Sequence, residues 1–180
     1  MIVSLFRKDP AVAAGEALYA AAVEQARAPR FYADFGVPDT VEGRFEMIVV
    51  HAFLILTRLK GDGPGEKKVG QKLFDAMFQN LDDALRELGV GDLSVGKKIR
   101  KLAENFFGRV GVYGEALKPD AEPGLLTAAL GRNIFEDEAA PGAERLAAYV
   151  RQAAASINAQ PVPRIVGGIV HFPEPEGSAE

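Results

Sequence analysis

The 180-residue chain contains no cysteine and no tryptophan, and it has only two histidines. Without thiols it can form neither disulfides, thiolate zinc sites nor iron–sulfur clusters, and it lacks a thiol nucleophile. The two histidines, His51 and His171, are too few for an all-histidine metal site. We therefore predict that the protein holds no metal and no cofactor.

Long hydrophobic runs are also missing. The longest apolar run without a charged residue, 47–57, is about half of the roughly 20 residues that a membrane-spanning helix needs. The opening residues MIVSLFRKDP do not have the charge order or the cleavage site of a secretory signal. We expect a cytoplasmic protein, with peripheral association with the inner face of the cytoplasmic membrane as the alternative.

The chain carries no excess of basic over acidic residues. Its 21 Lys and Arg residues stand against 25 Asp and Glu residues, a formal net charge of −4. Acidic residues outnumber basic ones chiefly in the last third, residues 119–180. This balance is typical of a soluble globular protein and excludes a protein built for sequence-specific nucleic acid binding.

Apolar residues recur at helical spacing along most of the chain. This pattern predicts an all-α fold, a single compact bundle of about six helices with a short extended C-terminal arm. The predicted helices span 11–28, 39–60, 66–88, 94–117, 123–135 and 142–159. We expect one domain over residues 1–180, comprising an N-terminal arm (1–10), a helical core (11–159) and an extended tail (160–180), with a small hairpin around Gly167 as the alternative for the tail.

Capping residues set the predicted helix bounds. Asp39, followed three residues later by Glu42, predicts an N-cap with a capping box. Ser94 is the predicted N-cap of helix 94–117. Gly89 is expected to end helix 66–88 in a left-handed conformation, which glycine adopts at little cost.

Polar residues interrupt the largely apolar helix 39–60. If this helix and helix 66–88 form an antiparallel pair, His51 faces Asp75 and Arg44 faces Asp82, so each buried charge gains a partner. The predicted buried polar network is Arg44, His51, Asp75, Asp82 and Arg86. Two functional alternatives are a His51–Asp75 dyad of a small hydrolase or lyase, and a haem- or quinone-binding carrier that uses His51. Because no nucleophile or oxyanion site is marked, we expect no catalytic residue.

The segment 91–98 nearly matches a phosphate-binding loop. Lys98 stands where the loop needs Ser or Thr for Mg²⁺, and no strand precedes it, so we predict a tight helix–helix corner instead. The basic cluster Lys97, Lys98, Arg100 and Lys101 follows. Such a cluster is either a solvated helix face or a contact with anionic lipid headgroups or ribosomal RNA.

Glycines recur every third residue near the end of helix 94–117, at Gly108, Gly111 and Gly114. Since glycine destabilises a helix, either another backbone approaches closely or the helix bends. Aromatic residues between them favour, as an alternative, a groove for a partner helix. The candidate groove residues are Phe106, Phe107, Gly108, Gly111 and Tyr113.

Three motifs in residues 28–117 are specific. They are VPDT-x-x-GRFE from Val37, H-x-F-L-x-L-x-R-L from His51 and LRE-x-GVGD-x-x-VGK from Leu85. With them, this stretch resembles the ubiquinol–cytochrome c chaperone family, whereas after Pro119 the match fades.

The resemblance implies an all-helical, non-catalytic assembly factor for the respiratory cytochrome bc complex. Family members in mitochondria act with a small partner protein near the ribosomal exit and hold newly made cytochrome b. The expected partners are therefore cytochrome b, nascent or newly inserted, and in addition a small partner protein, the ribosome or a membrane surface. A weaker alternative is a membrane-surface scaffold that docks through residues 1–6 and the basic cluster.

Overall fold

The computed structural model describes residues 9–61 and 63–176. These residues form eight α-helices and no strand, so the predicted all-α class is confirmed. The helices are α1 (Pro10–Ala26), α2 (Pro29–Ala33), α3 (Val41–Arg58), α4 (Pro64–Glu87), α5 (Asp92–Ala116), α6 (Leu125–Leu130), α7 (Pro141–Ala159) and α8 (Val162–Val166). A π-helical turn, Gly131–Phe135, continues α6. Across the described ranges, no helix is long and apolar enough to cross a bilayer.

Prolines begin many of these helices. Pro10, Pro29, Pro64 and Pro141 each occupy the first turn, where proline's missing N–H costs nothing and its φ already suits a helix. Pro29 directly follows the predicted helix 11–28. It also begins the short helix α2, which is too brief for its apolar periodicity to be recognised.

Two of the predicted caps are wrong by a few residues. The N-cap of α3 is Thr40, whose hydroxyl accepts a hydrogen bond from the Gly43 N–H at 3.0 Å, while Asp39 pairs with Arg44. Helix α5 begins at Asp92, which places Ser94 inside its first turn. Gly89 has φ +80°, as predicted for the left-handed residue after α4.

Helix α3 lies at the centre of the core. Ten of its 18 residues are buried, and apolar side chains from every other helix join the same core. Helix α4 packs mainly along α1 instead of α3. The close approach depends on Gly15 of α1, because a Cβ placed there would lie 2.5 Å from the backbone carbonyl carbon of Lys72.

The predicted extended tail begins with a helical turn, α8, and becomes irregular only after Gly168. We call residues 169–176 the C-terminal segment. Its carbonyl groups at Pro173 and Pro175 accept hydrogen bonds from Gln25 and Arg30, at 3.0 and 3.2 Å. These bonds hold the segment against α1 and α2. Of the predicted N-terminal arm, residues 1–8 lie outside the described residues.

Candidate functional site

His51 lies fully buried in the middle of α3. Its Nδ1–H donates to the Met47 carbonyl at 2.7 Å, because a carbonyl can only accept. Nε2 is therefore the acceptor, and it receives the Tyr149 hydroxyl hydrogen at 2.9 Å. The Tyr149 oxygen in turn accepts from the Gln25 amide at 3.1 Å. The polar atoms in this series of hydrogen bonds are thus paired with one another.

Aromatic rings surround His51. Its ring centroid lies 5.5 Å from that of Phe31 and 5.0 Å from that of Phe172, both in edge-on contact. Burial lowers the pKa of His51 to about 4 and raises the pKa of Tyr149. His51 is therefore neutral at physiological pH, and both ring nitrogens are engaged. Neither nitrogen is available for a haem iron or for proton transfer to a substrate.

The predicted buried network of Arg44, His51, Asp75, Asp82 and Arg86 is wrong. Asp75 bonds to Gln71 and Lys72, Asp82 bonds to Arg86, and Arg44 bonds to Asp39, all on the surface. The predicted His51–Asp75 dyad is wrong for the same reason. Because α4 packs along α1, its polar face stays in water and does not meet α3.

A buried ion pair joins Glu46 of α3 to Arg109 of α5. It is bidentate, with Nε to Oε2 and Nη2 to Oε1 each 2.5 Å, and the two side chains are 9% and 19% exposed. Burial raises the pKa of Glu46, and the Arg109 charge opposes this rise. The sequence contained one indication of this pair. A carboxylate at a buried position of an apolar helix requires a cationic partner.

An open apolar groove of about 420 Å³ lies between the end of α3, the first half of α4 and the middle of α5. Its apolar lining consists of Leu56, Leu59, Phe74, Phe106, Phe107 and Val110, and we call it the phenylalanine groove. Lys60 and Gln71 contribute polar atoms to its lining. Phe74 stacks on Phe107 with ring centroids 5.5 Å apart, yet Phe107 remains 60% exposed. A large ring left in water marks surface suited to a partner.

The predicted groove residues Phe106, Phe107, Gly108, Gly111 and Tyr113 do not share one surface. Phe106 and Phe107 both line the phenylalanine groove, Phe106 as a largely buried ring and Phe107 as an exposed one, whereas Tyr113 is buried and does not line it. A Cβ placed on Gly108 or Gly111 would meet no atom within 4 Å. These glycines therefore face open space, so of the two alternatives for them, a close approach by another backbone is wrong.

The basic cluster lies where expected, at the start of α5. Lys97, Lys98, Arg100 and Lys101 are all exposed. Within residues 9–61 and 63–176, none of these four side chains forms an ion pair. Their charges are available to an external anion.

An all-α protein with a closed core and an open apolar groove has the features of a protein-binding chaperone. Comparison with protein families agrees: the model of the Ubiquinol-cytochrome C chaperone family matches residues 33–172, and the chain belongs to this family. The match continues well beyond residue 117, where the recognisable motifs fade.

Individual relatives support the same assignment. The chain is 24% identical over 121 residues to ubiquinol-cytochrome-c reductase complex assembly factor 1 of Xenopus laevis, covering 67% of this chain and 60% of the relative. It is 28% identical over 151 residues to the Drosophila melanogaster protein of that name, covering 80% and 58%. The chain thus spans about three fifths of the length of these relatives.

A solved structure extends the similarity to nearly the whole chain. The crystal structure of the Cbp3 homolog from Brucella abortus matches with a TM-score of 0.84 and 41% identity. The match covers 97% of this chain and 98% of that chain.

Proposed function

We propose that this protein is a non-catalytic chaperone that assists the assembly of ubiquinol–cytochrome c reductase by holding newly made cytochrome b. Family membership and the names of the assembly-factor relatives support the assembly role. The observation that supports client binding is the phenylalanine groove with its exposed Phe107 ring. A small partner protein that acts with it is part of the same proposal.

The dimensions of the groove suit a transient client contact. Its volume falls in the range of about 300–1,000 Å³ that is usual for ligand pockets. It therefore receives a few apolar side chains from one face of a helix and not the whole helix. Partial burial of this kind shields a membrane-bound segment from water and still permits its release during assembly.

A site-specific crosslinking experiment tests the client and the groove together. A photoreactive amino acid at Phe107 should crosslink to cytochrome b in growing cells. The matched control is the same label at Val41, which is 77% exposed and begins α3, whereas the groove lies at the other end of that helix. Equal crosslinking from both positions, or none to cytochrome b from Phe107, would contradict the groove as the client site.

A genetic experiment tests the assembly role separately. Deletion of the gene should lower both the accumulation of cytochrome b and ubiquinol–cytochrome c reductase activity. Unchanged levels of both would show that the assembly role is wrong. If deletion lowers them but the Phe107→Ser variant restores them fully, the assembly role stands and the groove does not take the client.

A further inference from the structure

The corner between α4 and α5 exposes two leucines. Leu88, directly after α4, is 78% exposed, and Leu93, in the first turn of α5, is 93% exposed. The turn between them reverses at Gly89, which has φ +80°. Single exposed leucines are common on protein surfaces, so these two matter only together with the charges beside them.

The basic cluster continues the surface on which Leu93 lies. Lys97, Arg100 and Lys101 follow Leu93 by four, seven and eight residues, so helical spacing places them on one face of α5. The buried Val95 lies on the opposite face. The corner therefore combines exposed apolar side chains with cations.

The carboxylates near this corner do not neutralise the cluster. Asp92 is held by Arg86, which also bonds to Asp82 at the end of α4. Glu87 and Glu104 are exposed, and neither forms an ion pair with the cluster within the described part of the chain. Within the described residues, the four cations of the cluster thus have no ion-pair partner.

We propose that the α4–α5 corner docks on the surface of an anionic lipid bilayer. Leu88 and Leu93 insert among the headgroups, and Lys97, Lys98, Arg100 and Lys101 contact lipid phosphates. The leucines favour lipid over RNA as the partner, because proteins bind unpaired RNA bases by stacking aromatic or arginine side chains on them. Residues 88–101 contain no aromatic residue and one arginine.

The proposed orientation keeps the phenylalanine groove near the membrane and outside it. Phe107 follows Leu93 by 14 residues on the same helix, which corresponds to about 21 Å at 1.5 Å per residue. A client segment that leaves the bilayer would meet the groove at this distance. Membrane docking does not depend on which client the groove holds.

Vesicle sedimentation of the full-length protein tests this inference. The protein should bind vesicles of phosphatidylglycerol and phosphatidylcholine in equal parts, and it should not bind pure phosphatidylcholine. Binding should weaken steeply with added salt, because salt screens the attraction between the cations and the phosphates. Absence of binding to the anionic vesicles at low salt would overturn the proposal.

Two pairs of variants locate the contact. Lys97→Gln with Lys101→Gln should weaken vesicle binding about 30-fold, since each cation near an anionic surface contributes about fivefold. The control, Arg27→Gln with Arg151→Gln, removes the same charge from exposed positions on other helices and should leave binding within about twofold. Equal weakening by both pairs would mean that net charge, and not this corner, binds lipid.

The leucines distinguish insertion from simple charge attraction. Leu88→Ser with Leu93→Ser should weaken binding at least about tenfold, whereas Val41→Ser with Ile169→Ser should not. Each variant's thermal unfolding is measured alongside, and exposed positions should leave it unchanged. Loss of ribosome binding in the lysine variants without loss of vesicle binding would overturn the proposal in favour of RNA.

Discussion

The surroundings of α3 differ in burial from the hairpin that α4 and α5 form. Ten of the 18 residues of α3 are buried, but only four of the 25 residues of α5 are. Around His51 the polar atoms are paired and aromatic rings exclude water. On the hairpin, by contrast, leucines, a phenylalanine and a cluster of cations face solvent.

This difference indicates that stability comes from the core, to which α4 and α5 also contribute, and that binding is left to the outward faces of these two helices. The buried apolar core supplies most of the favourable free energy of folding. The hairpin can then expose apolar surface without loss of the fold. Four predictions test this division, ordered by the size of the expected effect.

The largest difference is expected between two phenylalanines. Phe31→Ala should lower the free energy of unfolding by about 3–5 kcal/mol, because Phe31 is fully buried and its removal leaves a cavity. Phe107→Ala should lower it by less than about 1 kcal/mol, since the ring is already largely in water. Urea unfolding of both variants measures this. Similar losses would show that the Phe107 ring also belongs to the stable core.

The second prediction concerns pH. His51 has a lower pKa when folded, about 4, than its ordinary value of 6.5, so the unfolded chain binds its proton first. The free energy of unfolding should therefore fall as pH drops from about 6.5 to 4, by about 3 kcal/mol in total. Urea titrations across this range measure the slope.

Two histidine variants isolate the source of that slope. His51→Gln should be less stable at neutral pH and should lose most of the slope between pH 6.5 and 4. His171→Gln changes the other histidine, which is exposed, and should retain the slope. A slope that survives in His51→Gln would mean that other groups cause it.

The third prediction concerns the ion pair that joins the two regions. Arg109→Met leaves the buried Glu46 carboxylate unpaired and should cost about 2–3 kcal/mol of unfolding free energy. Arg86→Met breaks exposed pairs on the hairpin and should cost at most about 1 kcal/mol. If both cost the same, the Glu46–Arg109 pair is no stronger than a surface pair.

The smallest effect should stabilise the protein. Gly108→Ala and Gly111→Ala should each raise the free energy of unfolding by about 0.5–1 kcal/mol, because alanine favours the helix and its Cβ meets open space. Gly15→Ala should instead destabilise, since its Cβ would collide with the backbone of α4. Thermal unfolding distinguishes these signs. A loss of stability in Gly108→Ala would mean that this face of α5 is packed.

The sequence predicted the helices better than their packing. The predicted bounds of helices 39–60 and 66–88 differ by only a few residues from those of α3 and α4. The signals that set them, apolar periodicity, proline and glycine, act locally. Which helix packs on which depends on shape. Gly15 brings α1 onto α4, so the polar face that carries Asp75 stays in water instead of meeting α3.

The sequence predicted only those residues of the phenylalanine groove that lie on a single helix, α5. Phe106 and Phe107 were identified, and both line the groove. Leu56 and Phe74, which complete it, come from other helices and could not be assigned without the packing. The Glu46–Arg109 pair joins residues 63 positions apart, beyond the reach of any spacing rule.

The C-terminal segment has a consequence for the order in which the protein folds during synthesis. Gln25 bonds to Pro173 across 148 positions, and Phe172 covers His51. While the chain is being translated, the side of the His51 ring that Phe172 covers therefore lacks this cover until residue 172 has emerged. This side of the core closes only after the helices that present the groove have been made.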